Sequence, residues 1–374
     1  MRQVNHQESD AILGARRQVA LAGGQPLTWA DTTSVRAAAR YLLRRPDLPD
    51  MGALPAVAPR ELVAALKGQP ELAREAVKYL AIMALVDGTL DHSKLARVLD
   101  YSRALDVEAD YLTDLVEAAS GHLAWATADM WRKNFDSVLS RSSEGLDPDK
   151  WIRPYGGTNA QPALVARYDA LGKLPQNTFG KALWDFDKRN GYPFPGDPTA
   201  LNASFGTPHD STHVISGYDT SARGELLVST FTAGMHPINP MSGHILPVIF
   251  FFHFGEQLND VGHAGKGGLD PDEFWHAWAR GAEMTVDIFD PKWNAWDWSR
   301  RTSRTCGARS TCRRLGTNCH PECREESRAV ASGDGPLMSA YAALRHGTGR
   351  HAGRPPRRVR PSCLKRSGSL GFGG

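Results

Sequence analysis

The sequence predicts an all-α fold, and the main evidence is the spacing of its apolar residues. Between residues 60 and 134 these residues recur at intervals of three and four, as in Ala73, Ala76, Val77, Leu80 and Met83. Such intervals place the apolar side chains on one face of a helix, so each set predicts one amphipathic helix. Glycine, proline and capping residues separate the sets, as expected between consecutive helices.

The predicted helices divide the chain into segments. Residues 1–59 contain one predicted helix, at residues 33–44, and then a linker punctuated by prolines. Residues 60–150 are expected to form a first helical domain and residues 151–300 a second one. Two helices are predicted early in the second domain, at residues 162–171 and 177–187.

The segment at residues 84–107 carries a helix-stop signal followed by a start signal. Asp87-Gly88 is typical of a helix end, and Asp91 is a suitable cap for the next helix. This pattern resembles the tellurite-resistance TerB-like helical module, which implies a TerB-like bundle for residues 60–150. Metal-ligand roles for Asp87 and Asp91 are possible, but capping and turn roles are favoured. The spacing does not fit a calcium loop, because Gly88 occupies a position that needs an oxygen ligand.

The last part of the chain, residues 301–374, differs from the rest in composition. It holds 15 Lys and Arg against 4 Asp and Glu, all five cysteines and no tryptophan. We predict a disordered basic tail. Two explanations are open, a shifted reading frame and a genuine tail that binds an anionic surface or nucleic acid. We expect no nucleic-acid partner. The cysteine spacings match no common zinc module.

Composition also bears on localisation. The N-terminus lacks the basic start, apolar stretch and cleavage site of a secretory signal, and the body lacks cysteines for disulfides. The most apolar window, residues 245–252, is too short for the roughly 20 residues that span a bilayer. We therefore expect a cytoplasmic protein, with peripheral contact to the inner face of the membrane left open.

One segment combines metal-ligating residue types at informative spacings. His209, Asp210 and His213 can point at one centre from a single helix, since positions four apart share a face. Gly217 predicts the end of that helix, and Asp219, Thr220 or Ser221 can cap the next, whose first turns contain Glu225. Two imidazoles and two carboxylates suit zinc best, with manganese, iron or magnesium as alternatives. The alternative without a metal is two surface histidines and an ordinary helix-start glutamate.

The pattern His-Asp-x-x-His, eleven residues and Glu resembles the signature of the coenzyme Q biosynthesis protein 4 family. Residues 209, 210, 213 and 225 fill it, and Gly217, Thr220 and Gly224 match its continuation. The resemblance covers residues 160–300. It implies a helical fold that binds a polyprenylated quinone precursor beside a divalent metal held by His209, Asp210, His213 and Glu225.

The same resemblance implies a role in ubiquinone biosynthesis. The reported activity is replacement of the ring carboxyl by hydroxyl, a metal-dependent oxidative decarboxylation. The alternative is a non-catalytic scaffold that presents the lipid to other quinone-biosynthesis enzymes. A metal site with an open coordination position favours the enzyme, and a closed one favours the scaffold.

Two other catalytic motifs that contain a histidine followed by an acidic residue fit this sequence less well. A His-Asp phosphohydrolase needs a further His and Asp, and only His122 and Asp260 are available, at spacings that do not recommend them. A zinc protease helix needs Glu directly after its first His, where this chain has Asp210.

The segment that follows the motif is strongly apolar and contains His236, His244 and His253. We expect a buried helix there, or the wall of an apolar tunnel for an isoprenoid tail. Phe251 and Phe252 are the predicted lipid-binding residues.

Overall fold

The structure is a computed structural model that describes residues 4–45, 51–139, 151–257 and 263–302. Those residues contain fourteen α-helices and no strand, which confirms the predicted all-α class. The predicted basic tail, with its five cysteines, lies outside the described residues apart from its first two positions. None of the described helices has the length and apolar character needed to cross a membrane.

Seven helices form the first half of the described chain. They are α1 (His6–Leu21), α2 (Trp29–Tyr41), α3 (Pro59–Ala65), α4 (Pro70–Met83), α5 (His92–Ala104), α6 (Asp110–Ala119) and α7 (Leu123–Leu139). Helix α1 is central, since α2, α3, α4 and α5 all pack against it.

Seven more helices follow, with a six-residue π-helix among them. They are α8 (Pro162–Asp169), α9 (Phe179–Asn190), α10 (Ala203–Ser216), α11 (Ala222–Met235), the π-helix (Pro240–Ile245), α12 (Leu246–Phe252), α13 (Pro271–Ala282) and α14 (Ala295–Trp298). Helix α11 is the centre of this half, because α10, α12, α13 and the π-helix all contact it.

The N-terminal region differs from the prediction of a single helix at residues 33–44. Helix α2 starts earlier, at Trp29, because Thr28 and Asp31 form a reciprocal capping box. Helix α1 was not predicted, since its buried face includes the polar residues Glu8, Ser9 and Arg16 and therefore shows a weak apolar pattern.

The two halves share one hydrophobic core. It runs from α1 to α13 and includes side chains on both sides of the predicted boundary at residue 150. Trp275 of α13 donates its indole N–H to the Ser34 hydroxyl of α2 at 2.9 Å. The Arg16 guanidinium lies 4.7 Å from the centroid of the same indole ring. Helix α13 is therefore anchored on the N-terminal bundle.

The acidic residues of the 84–107 segment have local structural roles. One carboxylate oxygen of Asp91 accepts hydrogen bonds from the backbone N–H groups of Ser93 and Lys94, which caps α5. Asp87 pairs with the Lys94 ammonium at 2.6 Å. Gly88 has φ +78, a conformation that suits glycine after a helix end. The capping and turn roles are thus observed.

Candidate metal centre

The metal motif lies on two consecutive helices joined by a tight turn. Helix α10 carries both histidines and ends at Gly217, whose φ is +80. Ser221 then caps α11 by accepting a hydrogen bond from the N–H of Gly224. A Cβ atom on Gly224 would lie 2.1 Å from the Asp219 carbonyl oxygen, so only glycine fits there. This turn brings Glu225 back towards α10.

Three of the four predicted ligands come together. Nε2 of His209 lies 3.2 Å from one carboxylate oxygen of Glu225, and Nε2 of His213 lies 3.5 Å from the other. One ligand atom from each residue falls within 4.8 Å of the other two. Tetrahedral zinc ligands at their usual bond lengths are about 3.3 Å apart. The two distances between imidazole nitrogen and carboxylate oxygen are close to this value. The triad can therefore hold a metal ion.

One ring nitrogen of His213 is hydrogen-bonded to the backbone, and the other, Nε2, faces Glu225. Its Nδ1 lies 3.0 Å from the Tyr218 carbonyl, which can only accept, so Nδ1 carries a proton, and in the neutral imidazole Nε2 has a free lone pair. Nε2 and the Oε1 atom of Glu225 are both buried and have no hydrogen-bond partner among the described residues. When the imidazole is neutral, two buried acceptors face each other, and this arrangement is costly unless a cation or a proton lies between them.

The fourth predicted ligand, Asp210, is placed differently from the other three. Its carboxylate lies 3.1 Å from Nδ1 of His209, on the side of the ring away from Glu225. Consecutive helix positions diverge by about 100°, which separates Asp210 from the triad. A carboxylate in this position orients a metal-ligating imidazole and directs its other nitrogen at the metal.

Aromatic rings stack on both histidines of the centre, and burial shifts the pKa values of its charged groups. Phe205 stacks on His209 at a centroid distance of 5.5 Å, and Phe186 stacks on His213 at 5.0 Å. Burial alone would raise the pKa of Glu225, but the two imidazoles outweigh it and lower that pKa to about 2. Burial would likewise lower the pKa of His209, yet hydrogen bonds to Asp210 and Glu225 raise it to about 10. Both shifts favour the charge pair in the metal-free chain.

Asp187, on α9, is a polar neighbour of the centre that the sequence did not reveal. Burial, with the nearby Asp210 carboxylate, raises its pKa to about 9, so it is a neutral carboxylic acid at neutral pH. Its Oδ1 atom is buried and has no hydrogen-bond partner within the described residues. Its only sequence signal is an acid next to Phe186, which is too weak to find it.

A cavity of about 220 Å³ opens beside the triad. His209, Asp210 and Glu225 line one part of it. Most of the remaining wall is apolar. Its aromatic members are Trp131, Phe135, Trp151, Phe205, Phe251, Phe252, Tyr192 and Phe289.

The two phenylalanines predicted to bind lipid, Phe251 and Phe252, are among these wall residues. Both are mostly buried, and their rings meet edge to face at 4.7 Å. Phe250, on the same helix, packs on Phe254 instead, at 5.1 Å, and does not line the cavity as described. Helix α12 therefore has one face towards the core and another towards the cavity.

A second buried polar cluster adjoins the cavity at His244. Nε2 of His244 lies 2.6 Å from the Ser137 hydroxyl, and Ser137 also presents its carbonyl to Nε2 of His236 at 3.1 Å. The other nitrogen of His236 lies 2.7 Å from Asp287. Burial, together with the neighbouring His236, lowers the pKa of His244 to about 3, so this imidazole is neutral.

The remaining sequence candidates lie apart from the centre. His122 is exposed and pairs with Glu117 at 2.6 Å. Asp260 falls outside the described residues. His253 is buried, with its Nε2 3.3 Å from the Val86 carbonyl and its Nδ1 accepting from the Leu269 N–H, so it joins the two halves of the fold.

No protein-family model, curated protein or solved structure matches this chain.

Proposed function

We propose that this chain carries out a metal-dependent step on a polyprenylated ring precursor of ubiquinone or a related quinone. One observation carries the proposal: the unpartnered acceptors of His213 and Glu225 face each other, 3.5 Å apart, beside an apolar cavity. Such a pair is stable around a cation, and the adjacent space suits an apolar ligand.

Zinc is the proposed metal, held by His209, His213 and Glu225. Two imidazoles with one carboxylate are a common catalytic zinc set, and three protein ligands leave a fourth position for water or substrate. Manganese, iron and magnesium remain alternatives, which metal analysis separates. When bound, the metal would polarise a ring oxygen or position dioxygen or water.

The chain's own residues would bind and orient the ring. A cavity of about 150 Å³ lined by apolar side chains binds benzene. The cavity here, at about 220 Å³, is larger by the space of a short substituent. We propose that it holds the ring and the first part of the isoprenoid tail, with Phe251 and Phe252 against that part. Asp210 would fix the orientation of His209 throughout.

The motif that fills positions 209, 210, 213 and 225 supports membership of the coenzyme Q biosynthesis protein 4 family, which we propose on that basis. Oxidative removal of the ring carboxyl is then the favoured reaction, and the site of action would be a membrane surface where such lipids reside. Contact with other quinone-biosynthesis enzymes belongs to the same proposal.

The second candidate function is a lipid-presenting scaffold in which the metal only orders the fold. Both functions need the same triad and cavity, so coordination number separates them. A fourth protein ligand, such as Asp210, would close the site and favour the scaffold. The placement of Asp210 against His209 favours the enzyme.

Native mass spectrometry of the purified chain tests both parts of the proposal. We expect about one equivalent of divalent metal and a retained polyprenyl compound. His213→Ala should remove the metal, whereas His276→Ala, an exposed histidine outside the cavity, should retain it. A wild-type chain that binds no metal after incubation with zinc would refute the site.

Helix α12 offers a matched pair for the lipid. Phe251→Ala alters the cavity wall, and Phe250→Ala removes an equal volume from the core side of the same helix. Both should destabilise the fold by about 3–5 kcal/mol. Only Phe251→Ala should change lipid retention, and equal retention in the two variants would exclude this wall from the site.

A further inference from the structure

The two imidazoles of the metal motif are oriented by different kinds of group. A carboxylate, that of Asp210, lies 3.1 Å from Nδ1 of His209. His213 instead has its Nδ1 3.0 Å from a backbone carbonyl, that of Tyr218. This carbonyl lies beyond the end of α10, one residue after Gly217. The direction of the His213 ring therefore depends on the conformation of the turn that follows α10.

Arg280 of α13 contacts that turn on both sides of Gly217. Its Nη2 atom donates a hydrogen bond to the Ser216 carbonyl at 2.6 Å. Its guanidinium carbon lies 5.1 Å from the centroid of the Tyr218 ring, which is within the range of a cation–π contact. Ser216 is the last residue of α10, where carbonyl groups lack partners within the helix and a cation is favourable. One side chain thus holds both neighbours of the glycine.

Helix α13 presents Arg280 from a closely packed position. A Cβ atom on Gly281 would lie 2.0 Å from the Phe231 carbonyl oxygen of α11. A Cβ atom on Gly234 of α11 would lie 2.3 Å from the Trp278 carbonyl oxygen of α13. The Arg280 guanidinium also lies 5.7 Å from the centroid of the Phe231 ring. The backbones of α11 and α13 approach each other closely at these two glycines, so Arg280 extends from a helix with little room to move.

We propose that Arg280 is a positioning residue of the metal centre. It fixes the turn after α10, so the Tyr218 carbonyl stays in place and directs Nε2 of His213 at Glu225. Groups that orient a metal-ligating imidazole strongly affect metal affinity, although they do not contact the ion. The inference rests on the proposed metal site and extends it to a helix outside the sequence motif. A residue that only stabilised the end of α10 would change the stability of the fold without changing the geometry of the ligands.

The zinc affinity of the purified full chain tests the proposal. Arg280→Met keeps an unbranched side chain but removes the donor and the charge, and we expect it to bind zinc about tenfold more weakly than wild type. Competition with a chromophoric zinc chelator measures this loss. Arg167→Met is the matched control, because the Arg167 guanidinium also stacks on a ring, that of Trp296 at 3.8 Å, and contacts no residue of the motif among those described. It should bind zinc as tightly as wild type.

A second readout separates positioning from stability alone. Cobalt in a zinc site has a visible absorption spectrum that depends on the geometry of the ligands. We expect this spectrum to change in Arg280→Met, whereas a variant that is only less stable would keep it in its folded fraction. Arg280→Lys retains a cation for the end of α10 but not the planar guanidinium, so it should give an intermediate zinc affinity and keeps the test open if Arg280→Met fails to fold.

The outcomes distinguish this inference from the proposed function. Unchanged zinc affinity in both Arg280 variants would overturn the inference and leave the metal site in place. A weaker affinity with an unchanged cobalt spectrum would also overturn it, since stability alone would then explain the loss. A wild-type chain that binds no zinc would refute the proposed function together with the inference.

Discussion

Two polar clusters of this protein contain buried carboxylates whose negative charge needs a counterion. The counterion differs between them. In the first, the Lys133 ammonium contacts the carboxylates of Asp110, Asp114 and Asp129 at 3.2, 2.8 and 2.6 Å. In the second, Glu225 faces two imidazoles, and no lysine or arginine pairs with it among the described residues.

The difference between the clusters indicates what each is for. A lysine side chain is a permanent counterion, so the first cluster has its cation as soon as the chain folds. The second leaves one imidazole nitrogen and one carboxylate oxygen without partners. Buried acceptors in that arrangement fit a cation that is acquired after folding. The two clusters therefore differ in the source of the cation, which is a side chain in the first and an ion from solution, by our proposal, in the second.

The largest expected effect concerns the permanent counterion. Lys133→Met should destabilise the fold by about 3–5 kcal/mol, because it leaves Asp114 buried without its cation. Arg132→Met is the matched control: this neighbouring side chain is exposed, and losing its surface ion pairs should cost about 0–1 kcal/mol. Urea unfolding of both variants measures the difference. Similar losses of unfolding free energy in the two variants would show that the buried cluster contributes no more than the surface ion pairs.

The next effect concerns the acquired cation. Zinc at a hundredfold excess over its dissociation constant should stabilise the wild type by about 2.7 kcal/mol. His213→Ala should lose this gain, and Lys133→Met should keep it because its own cluster does not bind the metal. Thermal unfolding with and without zinc checks both expectations. A zinc effect that persists in His213→Ala would place the metal elsewhere.

A third prediction extends the comparison to a buried group with no counterion. His244 has an ordinary pKa of 6.5 when unfolded and about 3 when folded, so the unfolded chain binds more protons between these values. Stability is therefore fully present above pH 6.5 and falls as the pH drops towards 3, by up to about 1.4 kcal/mol per pH unit.

His244→Gln should lose stability less steeply over the same pH range, because glutamine does not titrate. Urea unfolding at pH 6 and pH 5 isolates the contribution, since the carboxylates titrate alike in both proteins. If the free energy of unfolding changed with pH equally in wild type and variant, His244 would be protonated in the folded chain.

The smallest expected effect is the loss of a helix cap, at an acidic residue outside both clusters. Asp91→Ala should cost about 1 kcal/mol, because α5 loses its cap, with no change in metal content. Asp100→Ala, exposed on the same helix, should change the free energy of unfolding by less than about 0.5 kcal/mol. Loss of metal from Asp91→Ala would instead show that Asp91 is a metal ligand, the role that the sequence analysis did not favour.

The features of the centre that could be predicted from the sequence are those that depend on neighbouring residues in the chain. The stop at Gly217, the cap at Ser221 and the placement of Glu225 follow from turn and capping rules that act within a few residues. Asp87 and Asp91 were also interpreted correctly for the same reason. The class of the fold followed from apolar spacing over residues 60–134.

The rest depends on contacts between distant segments, which local rules do not contain. Asp187 approaches Asp210 from another helix, and the cavity joins α7, α10, α11 and α12. Helix α1 escaped prediction because Arg16 and Ser9 are buried where apolar residues are expected. Its partner Trp275 lies more than 250 residues away in the chain.

Helix α11 has a consequence that concerns cooperativity. It carries Glu225, a proposed metal ligand, and two residues of the cavity wall, Ser229 and Thr232, on one helix. A molecule that displaces these wall residues would therefore also move the carboxylate that we propose as a metal ligand. By thermodynamic linkage, the ion must alter affinity for that molecule by the same factor as the molecule alters affinity for the ion. We therefore expect the binding of a metal and of a cavity ligand to be coupled through this one helix.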